Sequence, residues 1–151
     1  MIPDGSEATV TYVLKIVCKN NKASMASFDN GLIITPWHPI GINKKWTFPH
    51  DIGDESVIEC SEVYNFVLDS GHIIFINGIE CVTLGHDFKG EVIEHPYYGT
   101  TKVLDDLRVL DVSNESFIEL LPNSMVWNIG TGLVSGMRRN IAASNFKQLS
   151  S

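Results

Sequence analysis

Apolar and polar residues alternate at the start of the chain: between Ala8 and Val17, Val10, Tyr12 and Leu14 take turns with Thr9, Thr11 and Val13 before the pair Ile16-Val17. A period of two rich in β-branched side chains predicts a strand with one buried face. Lys19 to Lys22 reads as a turn and Ala23 to Phe28 as a second short strand. Asp29-Asn30-Gly31 is a tight reversal, because Asn and Gly accept positive φ. The run Leu32-Ile33-Ile34 is expected to form a buried strand that stops at Thr35. Pro36 and Pro39 cannot continue a ladder, since proline lacks an N–H and fixes φ. Thr35 and His38 are thereby predicted at a stiff corner.

Further on, Trp46-Thr47-Phe48 predicts a short strand ending at Pro49, and residues 50–55 an acidic loop. Val57-Ile58 and the run Val63 to Leu68 read as strands, broken at Asp69-Ser70-Gly71. Ile73 to Ile76 and Ile79 to Leu84 flank Asn77-Gly78, the strongest short hairpin signal. The pattern changes after Gly85. Residues 86–99 form a polar loop carrying Phe88, Tyr97 and Tyr98. Val103, Leu104, Leu107 and Leu110, at i, i+1, i+4 and i+7, then predict one short helix over 101–110 with Thr100 or Thr101 as cap. Residues 117–121, 125–128 and 133–137 are expected as short closing strands. The fold class is therefore all-β: a compact, irregular body of short strands and hairpins with one helix. A single domain is expected over 1–137, followed by a flexible tail over 138–151.

Composition narrows the partners. The 151 residues suffice for one cored domain, and 44% hydrophobic against 19% charged is globular composition. A net charge of −7 argues against a phosphate-tracking surface, so no nucleic-acid partner is expected. No apolar run approaches the roughly 20 residues of a membrane span, and the first residues lack the basic and apolar regions of a signal peptide. Cys18, Cys60 and Cys81 are an odd number at wide spacing, without a C-x-x-C pair. They give no disulfide framework and no zinc signature, and point to a reducing, cytoplasmic setting. At least one thiol is free, and each reads as a small buried hydrophobe.

Five segments, in order, carry a family likeness. Thr35-Pro36-Trp37-His38-Pro39 resembles the T-x-x-H block of Hint domains, the self-processing modules of hedgehog proteins and inteins. Ile76 to His86 resembles the later block, in which an Asn-Gly hairpin returns a cysteine beside that histidine. Val63 to Leu68, His95 to Thr100 and Thr131 to Val134 are similar to the Vint type, the variant associated with von Willebrand A domains. The likeness spans about residues 8–137.

The resemblance implies autoprocessing. A leading Cys or Ser attacks the carbonyl before it, an amide becomes a thioester or ester, and an imidazole delivers a proton to the departing nitrogen. By position, His38 would protonate that nitrogen and Thr35 would hold the scissile amide. Cys81 matches the family's second cysteine, and His86 is a further candidate. No cofactor or metal is implied, and the substrate would be the chain's own upstream polypeptide. The resemblance also leads one to expect a Cys-led segment ahead of the first strand. Met1 stands just before that strand, Cys18 lies within it, and Lys15 stands near a position where the family sometimes carries an acidic residue. As written, the chain is expected to be inactive by the usual route. The tail, Gln148-Leu149-Ser150-Ser151, lacks a His-Asn pair, which disfavours two-sided splicing against one-sided cleavage or ligation.

Two other classes compete. A non-catalytic module could bind a protein partner through Trp37, Trp46, Tyr97, Tyr98 and Trp127, although such aromatics are more often core. A metal site could draw on His38, Cys60, His72, Cys81, His86 or His95, none of which has metal-ligand spacing, and a Cys/His hydrolase could pair Cys81 with His38.

Overall fold

The leading alternation becomes β1 (Val10–Val17), whose Tyr12, Leu14 and Ile16 face the larger core. In the computed structural model, which describes residues 8–138, it is followed by β2 (Lys22–Ser27), β3 (Ile33–Ile34), β4 (Ile40–Ile42), β5 (Lys45–Thr47), α1 (Pro49–Ile52) and β6 (Asp54–Glu59). Then come β7 (Glu62–Leu68), β8 (Ile73–Ile76), β9 (Ile79–Val82), α2 (Thr101–Leu110), β10 (Phe117–Leu120), β11 (Met125–Trp127) and β12 (Val134–Met137). The strands pair as four small sheets, ordered β10-β1-β7, β3-β2-β6, β5-β4-β9-β8 and β11-β12. The all-β expectation holds. No helix among the described residues is long and apolar enough to cross a membrane.

β1 is the centre of its sheet because both its edges are used. β7 runs antiparallel to it, and β10 runs parallel with Leu14 opposite Ile118 and Lys15 opposite Glu119. The Lys15 ammonium meets the Glu119 carboxylate at 2.7 Å across that parallel pair. Helix α2 has the bounds its apolar spacing predicts, and it buries Val103, Leu107 and Leu110. Each such side chain contributes roughly 1.5–3 kcal/mol of hydrophobic stabilisation. The Thr100 hydroxyl caps the helix by accepting the Lys102 N–H at 3.3 Å. Thr100→Ala is expected to cost about 1 kcal/mol, read as a lower urea midpoint at unchanged m value.

Three sequence expectations change. Ile33 is 53% exposed, so only Leu32 and Ile34 of that run point inward. Ile40–Ile42 is an additional strand, hairpinned to β5 by Asn43 and Lys44 at φ 51° and 64°. The acidic loop is replaced by α1, with Pro49 in its first turn, and by the start of β6 at Asp54. Among the described residues β6 pairs only with β2, and it keeps most of its side chains in water, so Asp54 and Glu55 are tolerated there. The lead-in before Ala8 lies outside the described residues, as does the expected tail apart from Arg138. Arg138 itself donates to the Asn123 carbonyl from Nε and Nη2, at 3.0 and 2.8 Å.

Two turns bear on the site. Asn77 and Gly78, at φ 51° and 80°, make the two-residue turn joining β8 to β9. Between β2 and β3, the Phe28 carbonyl accepts the Gly31 N–H at 3.0 Å. The tips of these turns meet. The Asn30 amide donates to the Asn77 carbonyl at 3.4 Å, and the Asn77 amide donates to the Asn30 carbonyl at 3.2 Å.

Candidate functional site

A cavity of about 220 Å³ opens where three sheets come together. One wall is β7 from Glu62 to Phe66, a second is Ile33 and Ile34 with Met25 behind them, and the third is Ile74, Ile76, Cys81 and Val82. Thr35 and His38 line it from the proline corner. The corner is braced from two directions. The Thr35 carbonyl accepts the His38 N–H at 3.3 Å, and the Pro36 carbonyl accepts the His50 N–H at 2.8 Å from α1.

The imidazole of His38 is fixed by backbone. Its Nε2 lies 2.7 Å from the Val82 carbonyl oxygen. A carbonyl can only accept, so Nε2 carries the ring hydrogen and Nδ1 keeps a lone pair. Burial holds His38 below the usual histidine range, partly opposed by that hydrogen bond. Val82 directly follows Cys81, and Cys81 pairs with Ile40, two residues beyond His38. The register of β4 against β9 thus brings imidazole and thiol to the same cavity. The Cys81 thiol is 1% exposed and donates to the Ile79 carbonyl at 3.6 Å. Burial pushes it up to about 11, so it stays protonated at neutral pH.

His86 is not among the residues lining the cavity. It is buried, its Nδ1 accepts the Phe88 N–H at 2.8 Å, and its ring lies 5.0 Å from that of Phe88. A Cβ on Gly99 would sit 3.0 Å from the His86 ring, so glycine is what lets the two segments touch. Burial and then the neighbouring His72 lower His86 to about 4.

Of the residues raised for other chemistries, His38, His72 and His95 lie near enough to His86 to lower it. Among the described residues, no three His, Cys, Asp or Glu side chains are grouped so as to hold a metal ion. Tyr97 is core, with its hydroxyl donating to Asp106 at 2.6 Å, whereas Trp37 and Trp127 are 59% and 62% exposed. Four further contributors are not among the candidate site residues. The Val82 carbonyl is a backbone atom, and Glu62, Tyr64 and Asn65 reach the cavity because β7 runs beside it.

Burial also sets a response to acid. His38, His86 and His95 are all held below the ordinary histidine range by desolvation. The unfolded chain therefore takes up protons first, and stability falls as pH drops from about 6.5 towards 4. A loss of roughly 1–3 kcal/mol between pH 7 and 4.5 is expected from urea melts. A midpoint constant over that interval refutes it.

The Vint family model, described as a Hint-domain, matches residues 1–136. No curated protein matches the chain.

Proposed function

Because this chain belongs to the Vint family of Hint domains, we propose that its cavity carries out the acyl shift that opens protein autoprocessing. The substrate is a peptide bond of the chain's own upstream polypeptide. A Cys or Ser ahead of β1 adds to the carbonyl before it, the C–N bond breaks, the acyl group passes to sulfur or oxygen, and the nitrogen leaves with a proton. His38 carries that proton. In its neutral form Nδ1 takes it from the attacking group, and the resulting imidazolium, acidified by burial, yields it to the departing nitrogen. Thr35 positions the amide at the corner. Cys81 supplies a neutral thiol wall and not the attacking thiolate.

The observation that supports this reading most is the 2.7 Å hold of the Val82 carbonyl on His38, which aims the ring at a cavity shared with Thr35 and Cys81. Amide nitrogen is a poor leaving group, so a fixed proton donor is what the step needs most. The reading is tested by joining a reporter to the domain through a Cys-led segment and adding a small thiol or hydroxylamine. Release of the reporter, with the thiol or hydroxamate on its carboxyl end, is expected. An uncleaved fusion whose cysteine is alkylatable overturns the proposal.

A further inference from the structure

The cavity does not use Cys18 and Cys60. Cys18 follows β1 directly, and Cys60 stands between β6 and β7. Val17 pairs with Glu62 in one sheet and Lys22 pairs with Glu59 in another. Between those two pairs, both chains leave the first sheet and enter the second side by side. Backbone bonds tie the two bends together. Cys18 N–H donates to the Ser61 carbonyl and Cys60 N–H to the Asn21 carbonyl, each at 2.9 Å. At this crossing the two sulfurs lie 3.9 Å apart, both half-buried.

We propose that Cys18 and Cys60 are a modification site, a dithiol that closes to a disulfide on reaction with a low-molecular-weight disulfide such as glutathione disulfide. A disulfide bond is about 2.05 Å long, so the sulfurs need approach by only about 1.9 Å from their present 3.9 Å. The reaction balances in two exchanges. One protein thiol loses its proton and attacks the reagent, forming a mixed disulfide and releasing one glutathione thiolate. The second loses its proton and attacks the protein sulfur of that adduct, forming Sγ–Sγ and releasing the other. Two protein thiols are oxidised, one reagent disulfide is reduced, and the two protons end on glutathione. Burial and the neighbouring Cys60 push Cys18 up to about 11, so closure speeds up as pH rises. Cys81 is left out, being buried at the cavity on β9. The bridge clasps the crossing from which β7, one wall of the cavity, and β2, whose Met25 lies behind a second, set out.

The test uses the full chain, reduced, desalted and equilibrated natively with glutathione disulfide at pH 8.5. Titratable thiols, counted after denaturation, are expected to fall from three to one. Intact mass should drop by about 2 Da, with a mapped Cys18–Cys60 link. The thermal midpoint should rise by about 5–10 °C. In Cys60→Ala the rise should vanish and a glutathione adduct on Cys18 should persist. Three surviving thiols, a bridge to Cys81, or a lasting glutathione adduct on the unaltered chain overturns the proposal. None of these readouts depends on the processing reaction, so its failure and theirs are separable.

Discussion

His38→Ala is expected to lower thiol-induced release of the reporter by about 10²–10⁴-fold, the usual contribution of a positioned acid or base. The size follows from how the ring is held. The hydrogen bond from Nε2 to the Val82 carbonyl settles the tautomer and leaves Nδ1 for the proton in transit. Alanine removes the carrier and also strands that carbonyl, so a folding cost of roughly 1–3 kcal/mol accompanies the change. His38→Gln separates the two effects. Its amide can still donate to Val82, so the fold should survive, yet it cannot relay a proton and cleavage should remain lost. Undiminished cleavage in either variant rejects the role given to His38.

Leu107→Ala is expected to destabilise the domain by about 2–5 kcal/mol, the largest single effect on folding expected here. Leu107 is wholly buried on α2, in the cluster that includes Leu14 of β1, Val67 of β7, Ile118 and Leu120 of β10, and Val134 of β12. Shortening it opens a void where helix and sheet meet, and the surroundings relax only partly. Arg108, next along the helix, makes an exposed 3.5 Å contact with Asp105. Arg108→Ala should therefore change stability by less than about 0.5 kcal/mol. Urea denaturation of the two variants checks the contrast, and equal midpoints would refute the helix as an anchor.

What the letters disclosed was local. The spacing of Val103, Leu107 and Leu110 fixed a helix at its observed bounds, and Asn77-Gly78 marked its hairpin, because each signal lies within one turn of chain. Thr35 and His38 sit at the corner that the prolines require. The rest depends on meetings between distant segments. Nothing in Phe117 to Leu120 says that these residues lie parallel to β1, about a hundred positions earlier. The strand Ile40–Ile42 is three residues long, too short for a period to emerge, and its turn uses Asn43-Lys44 without a glycine. His38 and His86 are the same letter, each three positions after a threonine. Their difference arises from what packs on each: a carbonyl at an open cavity for one, the Phe88 N–H and Gly99 for the other.

The paired amides of Asn30 and Asn77 carry a consequence for how such a domain can change. They couple the loop leading to the proline corner with the tip of the ribbon that bears the thiol. The segments bearing the imidazole and the sulfur are therefore tied to each other through two surface loops, away from the side chains assigned to the proposed reaction. For the proposed acyl shift, variation there is expected to change the rate of cleavage while Thr35, His38 and Cys81 stay as they are.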